Sequence, residues 1–221
     1  MLALQLGTGG KAPLRVLCLG AHSDDIEIGC GGTMRRLLAE RRCEVTWVVL
    51  SAAGMRAAEA RRGAALFLEG AARKRVVLKR FRDGFFPAQF AAIKEEFEKL
   101  KKLPNPDVVF CPARGDAHQD HRLVAELVGN TFRDHLVLEY EIPKYDGDLG
   151  RPNAFVPLSE ETCREKIRLL NEVFRSQAKR RWFQEETFRS LLRLRGLECN
   201  SPTAYAEAFF CSKAVVALGE E

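Results

Sequence analysis

Arg15-Val16-Leu17-Cys18-Leu19-Gly20-Ala21-His22-Ser23-Asp24-Asp25 is the stretch that decides how this chain is read. Its first half is an apolar run of strand length, closed by Gly20; its second half is acidic and carries a histidine. An apolar run without polar alternation marks a strand buried on both faces. The pattern returns nearly a hundred residues later, where Asp107-Val108-Val109-Phe110-Cys111 leads into Gly115-Asp116-Ala117-His118-Gln119-Asp120-His121-Arg122. Ligands of open parallel sheets bind outside the carboxyl ends of the strands, so both polar clusters are expected at one rim. Between them they hold three of the chain's four histidines.

Outward from these two points, strand and helix patterns alternate. Strands are predicted over 14–20, 45–50, 75–78, 107–111, 136–142 and 209–216, and helices over 33–42, 56–70, 88–102, 121–133, 160–175 and 182–195. Gly29, Gly31 and Gly32 read as a tight turn into a helix capped by Thr33. Pro104 and Pro106 stop the third helix, and the Pro-, Gly- and Asp-rich stretch 143–157 reads as a loop. Strands separated by helices predict an α/β fold, a mostly parallel sheet with helices on both faces in a three-layer sandwich. No repeat or linker divides the 221 residues, so one domain over 1–221 is expected.

Apolar residues make up 46% of the chain and charged residues 29%, the balance of a soluble globular protein. The net charge of +5 is spread over arginine pairs at helical spacings, with no aromatic-interleaved basic run. A nucleic-acid partner is therefore not expected, whereas a small acidic molecule is compatible. The seven cysteines form no C-x-x-C pair and fit a reducing compartment. No stretch approaches the roughly 20 apolar residues of a membrane span. The first fourteen residues lack a signal-peptide core, so a cytoplasmic location is expected. A homo-oligomer is compatible with all of this.

His22 and Asp25 stand three apart at a strand end, where a turn can bring both onto one metal ion while Asp24 faces the open side. A carboxylate beside a metal-bound water can take its proton. A polar turn capping the next helix would also explain Ser23-Asp24-Asp25. His118 and His121 are likewise three apart, so one can bind metal while the other meets a substrate carbonyl. Asp120 can accept a hydrogen bond from an imidazole. Two imidazoles and a carboxylate at one rim make a three-ligand metal site of the hydrolytic kind.

These residues resemble the LmbE-like, PIG-L-type family of zinc-dependent N-deacetylases. The family motif A-H-P-D-D-E stands here as Ala21-His22-Ser23-Asp24-Asp25-Ile26, followed by Gly31-Gly32-Thr33; the motif H-x-D-H stands as His118-Gln119-Asp120-His121. A third likeness is Tyr205-Ala206-Glu207-Ala208-Phe209, preceded by Arg195-Gly196. The resemblance implies a Rossmann-like fold and zinc, or another divalent metal, held by His22, Asp25 and His121. It implies Asp24 as general base, His118 as the group that stabilises the oxyanion or protonates the leaving amine, and Asp120 as the residue orienting His118. A protonated His118 with its pKa raised by Asp120 is the corresponding expectation. The implied reaction is removal of an N-acetyl group from an N-acetylated amino sugar, with Arg56, Tyr145, Arg195 and Glu207 placed around the substrate.

Three positions depart from the family pattern. Ser23 replaces proline, Ile26 replaces glutamate with Glu27 one place later, and the family's T-x-G-E stretch is reduced to Ser51-Ala52-Ala53-Gly54-Met55, with Arg56 and Glu59 as remnants. A zinc amidase acting on a non-sugar amide such as a thiol conjugate would use the same ligands. A non-catalytic nucleotide- or sugar-binding module is disfavoured, because G-x-G-x-x-G is missing after the first strand.

Overall fold

A computed structural model of the protein describes residue 6 and residues 12–216. Most of the opening segment read for a signal peptide lies outside the described residues. β1 (Leu14–Gly20) sends Val16 and Cys18 into one core, beneath α1 (Asp25–Glu40), α2 (Gly54–Phe67) and α5 (Glu160–Val173). It sends Leu17 and Leu19 into a second core, beneath α3 (Phe90–Leu100) and α4 (Gln119–Thr131). β4 (Val108–Pro112) repeats this, with Val108 and Phe110 on the first side and Val109 and Cys111 on the second. Burial on both faces is why these two strands are continuous apolar runs.

The remaining strands are β2 (Cys43–Val49), β3 (Arg73–Leu78), β5 (Leu136–Tyr140), β6 (Ala154–Leu158) and β7 (Tyr205–Phe210), with α6 (Glu185–Glu198) before the last. The seven-stranded sheet has the order β3-β2-β1-β4-β5-β7-β6. β3, β2, β1, β4 and β5 are mutually parallel, and β7 runs antiparallel to both β5 and β6. After β1 the chain winds outward to β2 and β3; after β4 it winds the other way, to β5. That reversal opens a crevice at the carboxyl ends of β1 and β4, where open α/β sheets take their ligands. The mostly parallel, helix-covered α/β sheet is the one the sequence predicts.

Several boundaries differ. α1 begins at Asp25 rather than at 33, and its glycines lie inside the helix. They serve close packing: a Cβ at Gly29 would sit 2.1 Å from the Tyr140 ring, and one at Gly31 would sit 2.5 Å from that of Phe67. β6 falls in the stretch read as a loop, and β7 begins at Tyr205 and ends at Phe210, ahead of the 209–216 expected. Among the described residues no helix is long and apolar enough to cross a membrane.

α1 is broken at Cys30, where φ −139° and ψ 16° leave the helical region. The break frees backbone groups that a buried ion pair then satisfies. Glu207 on β7 accepts from Gly32 N (2.8 Å) and Thr33 N (2.6 Å), acting as an N-cap for the second half of the helix. Lys166 on α5 donates to Ile28 O (2.5 Å), closing the first half, and to Glu207 Oε1 (2.6 Å). The pair therefore fixes the direction of the short first segment, which carries Asp25. Removing one partner of a buried pair strands the other. Lys166→Met is expected to lower the unfolding free energy by about 3–5 kcal/mol. Urea titration checks this, and a variant as stable as the parent would show that the pair does not hold the break.

Candidate active site

His22 follows the carboxyl end of β1, in a turn that closes on itself: its backbone N–H donates to Asp25 Oδ2 at 2.8 Å. Ser23, where the family has proline, ties the same turn to Ser51 O through its hydroxyl. Across the crevice, α4 carries His121 in its first turn and is N-capped by His118, whose Nδ1 accepts from Asp120 N.

The two clusters meet. His22 Nδ1 and His121 Nε2 are 3.1 Å apart, and Asp25 Oδ2 lies 3.6 Å from the first and 3.3 Å from the second. A tetrahedral ion with bonds of about 2.0–2.1 Å spaces its ligands by about 3.3 Å, so the donor set and its spacing fit one zinc-like cation. Each imidazole is backed by a carboxylate on its other nitrogen: Asp116 Oδ2 is 2.9 Å from His121 Nδ1, and Asp120 Oδ2 is 3.2 Å from His22 Nε2. Such partners fix the tautomer that presents a bare nitrogen to a metal. Lys144 Nζ, 2.9 Å from Asp116 Oδ2, joins the loop after β5 to this support.

The carboxylate of Asp120 therefore does not orient His118, which corrects the expectation; only its backbone N–H reaches that ring. Its carboxylate turns to His22 and to the backbone N–H groups of Gly84 and Phe86. His118 is also not raised in pKa; burial, then the charges of His121 and His22, push it below the usual imidazole value. Because its Nδ1 accepts the capping bond, its Nε2 carries the proton and serves as a neutral donor.

Asp24 is buried beside the triangle, and Arg56 NH2 lies 2.5 Å from its Oδ1. Burial raises Asp24 against the opposing pull of Arg56. The other end of Arg56 bonds Glu59 (2.9 Å) and Ser176 (3.2 Å), so its guanidinium already has protein partners at the edge of the site. Tyr145 is 64% exposed on the loop that Lys144 anchors, at the rim of the crevice. Arg195 and Glu207 are not brought to the histidines. Arg195 is buried on Glu141, at 2.6 and 2.8 Å, and on Glu198, while Glu207 closes the break in α1. Glu207 does need a partner, as any acid in an apolar strand does, but backbone amides and Lys166 supply it.

Ile26 lies in the core, and Glu27 does not take the place of the missing family glutamate. It is fully buried with both carboxylate oxygens lacking a hydrogen-bond partner, and burial raises its pKa well above the carboxylate range. Gly63 makes room for it; a Cβ there would lie 2.3 Å from Glu27 Oε1. Asp116 and Asp83 were not read from the sequence as site residues. Asp116 lies within the second cluster, five places before His121. Asp83 sits in the loop after β3, and its signal is the Asp83-Gly84 pair at a third strand end, with Gly84 at φ +76°.

Burial opposes charge on both imidazoles of the triangle, yet Asp25 and the backing carboxylates overcome it. His22 is raised well above its ordinary value and His121 to about 9, while Asp25 is driven well below the usual carboxylate range. Near neutral pH the metal-free triangle thus holds protons that a cation must displace. Zinc affinity is expected to rise as pH climbs from 6 toward about 9, with about one proton released per ion at pH 7. Calorimetry in buffers of different ionisation enthalpy measures that release, and a pH-independent affinity over this range would contradict the charge arrangement.

The sequence profile of the PIG-L family, described as GlcNAc-PI de-N-acetylase, matches residues 17–132, a span that holds both clusters. Among solved structures, the N,N'-diacetylchitobiose deacetylase of Pyrococcus horikoshii, complexed with its inhibitor, is similar with 22% identity and a TM-score of 0.70, over 94% of this chain and 86% of that one. A conserved protein of Thermus thermophilus is similar with 23% identity and a TM-score of 0.70, over 93% and 97%. The 4-carboxy-2-hydroxymuconate hydratase of Pseudomonas putida is similar with 17% identity and a TM-score of 0.73, over 94% and 100%. At these identities the likeness to solved structures establishes the fold.

Proposed function

The chain belongs to the PIG-L family, and from that membership and the site we propose that it is a metal-dependent hydrolase removing the N-acetyl group from an N-acetylated amino sugar. The observation that carries this reading is the triangle of His22 Nδ1, His121 Nε2 and Asp25 Oδ2, with edges of 3.1 to 3.6 Å and a carboxylate behind each imidazole. His22, Asp25 and His121 would hold zinc or a similar divalent ion, which when bound brings the pKa of a water to about 7 and polarises a carbonyl.

Asp24 takes the proton of the attacking water. Arg56 on Oδ1 fixes the rotation of that carboxylate and leaves Oδ2 for the proton. Burial keeps Asp24 a better base than an exposed aspartate, because it destabilises the charged form. His118 donates its Nε2 hydrogen to the acetamide oxygen as that oxygen gains charge; losing one such donor costs about 100-fold or more in rate. The C–N bond then breaks, the nitrogen takes the proton held by Asp24, and acetate and a free amine leave. Tyr145 and the rest of loop 144–150 contact the sugar at the mouth.

The hydratase among the similar structures shares the fold, so the discriminating readout is amide cleavage itself. Acetate and a new primary amine should appear in equal amounts when the zinc-loaded protein is given a panel of N-acetylglucosamine glycosides and sugar nucleotides. Asp24→Asn should lower turnover by about 100-fold to 10,000-fold while one ion per chain is retained, since it removes the base but no ligand. His121→Ala should lose both. Equal metal loss in the two variants would show that Asp24 and Asp25 have been assigned in the wrong order, and cleavage of non-sugar amides alone would move the substrate class.

A further inference from the structure

The mouth of the crevice is charged unevenly. On one side the chain after α5 makes a run of tight turns from Phe174 to Phe183, closed by backbone bonds from Gln177 N, Ala178 N, Arg180 N and Phe183 N. Ser176 fastens its near end to the start of α2. Its N–H and hydroxyl donate to Glu59 at 2.8 and 2.7 Å, and the hydroxyl accepts from Arg56 NH1 at 3.2 Å. The other arm of Arg56 holds Asp24, so a single side chain separates this turn from that carboxylate. At the far end Phe183 packs on Phe188, with ring centroids 5.1 Å apart, and Phe188 lines a small cavity with Ile28 and Pro143. The turn therefore runs along the α1 side of the mouth, from α2 to the base of loop 144–150.

Arg175, Lys179, Arg180 and Arg181 stand on this turn, all exposed and, among the described residues, without an ion pair. Their neighbours Arg62 and Arg168 both pair with Glu172 on α5. Arg175 is favourable where it is, at the carboxyl end of α5. Lys179, Arg180 and Arg181 are not. They precede the amino end of α6, whose dipole disfavours cations, and Glu185 and Glu186 in the first turn of that helix pair with none of them. The fold thus carries three cations that it does not use. Across the mouth the charges are mixed or acidic: Arg82, stacked on Phe85, beside Asp83 after β3, and the exposed Asp146 in loop 144–150. An anionic part of a substrate has one side to lie on.

We propose that Lys179, Arg180 and Arg181 form an anion subsite for the group on the substrate's anomeric oxygen, and that the substrate is a phosphate ester of an N-acetylated hexosamine. The proposal rests on the deacetylation read from His22, Asp25 and His121. The acetamide and the anomeric oxygen stand on neighbouring carbons of the sugar ring. With the acetamide beside Asp24, a phosphate on that oxygen lies at the adjoining rim, where long flexible cations can meet it. Guanidinium groups bind phosphate oxygens through paired hydrogen bonds, and lysine adds a compact charge. A neutral glycoside would draw nothing from these residues. Nucleoside diphosphate and lipid diphosphate esters share the required chemistry.

Binding and turnover test the parts separately. Trp182 lies at the end of the turn, against Phe183, and the chain's other tryptophan, Trp47, is buried in the core. Tryptophan fluorescence of the metal-free protein therefore reports on the turn, with no zinc for phosphate to find. N-acetylglucosamine 1-phosphate should bind about tenfold or more tighter than methyl N-acetylglucosaminide, and high salt should erase the difference, because exposed pairs are screened. In the zinc-loaded protein the same preference should appear in KM. Lys179→Gln, Arg180→Gln and Arg181→Gln together should raise KM for the phosphate ester about tenfold, at a few-fold per exposed pair, with kcat and the methyl glycoside unchanged. Uridine diphosphate and short-chain lipid diphosphate esters are compared in parallel, and the larger kcat/KM, lost in the triple variant, identifies the source of the phosphate. Equal binding of the phosphate ester and the methyl glycoside, or a preference that the triple variant keeps, overturns the proposal. Phosphate-dependent binding without acetate release from any substrate would keep the subsite and remove the reaction. Acetate from neutral glycosides alone would keep the reaction and remove the subsite.

Discussion

His22 and His121 are held with two ring nitrogens 3.1 Å apart against the carboxylate of Asp25, and most of the unusual features nearby serve that approach. Two imidazoles this close gain from a cation between them or from shared protons, and either needs the chain on both sides to be rigid. On one side the turn after β1 is closed by its own backbone bond to Asp25, and Tyr140 reaches across to donate to Leu19 O at 2.7 Å. The same ring fills the space that Gly29 leaves. On the other side His118 caps α4, while Asp116 braces His121 and is braced in turn by Lys144. The buried Lys166–Glu207 pair, far from the chemistry, sets the direction of the helical segment that begins with Asp25.

How much of this can be read in the sequence depends on the range of the interaction. β1 and β4 are legible because a central parallel strand, buried on both faces, has to be apolar throughout, and the residues after it inherit the rim. The start of α1 is not legible. Gly29, Gly31 and Gly32 have the composition of a turn, and only the positions of Tyr140 and Phe67 reveal that they are packing glycines. Asp120 and Asp116 carry the same ambiguity. Both stand in the second cluster, and which carboxylate backs which histidine depends on the cap of α4 and on where the β3–α3 loop crosses it. Asp83 belongs to a third loop whose approach to His22 follows from the sheet order β2-β1-β4, which periodicity does not encode.

Arg56, Arg195 and Glu207 teach a related point. Each stands where a polar side chain would suit a substrate, yet each is already committed inside the protein: to Asp24 and Glu59, to Glu141 and Glu198, and to the amides of α1. A buried charge must be paired wherever it occurs, so the need for a partner does not identify the partner as a ligand. The remnants of the eroded family stretch keep a function of this kind, since Arg56 and Glu59 join Asp24 to α2 and to Ser176 in the turn after α5.

The account stands on His22, Asp25 and His121 holding one divalent ion. X-ray absorption at the zinc K-edge, on protein loaded with a single equivalent, tests this most directly. Two imidazole nitrogens with oxygen donors completing the shell, all at about 2.0–2.2 Å, are the predicted result, and His121→Ala, which loses the ion, is predicted to show no such shell. A sulfur shell near about 2.3 Å, or a spectrum that His121→Ala leaves unchanged, would contradict the account.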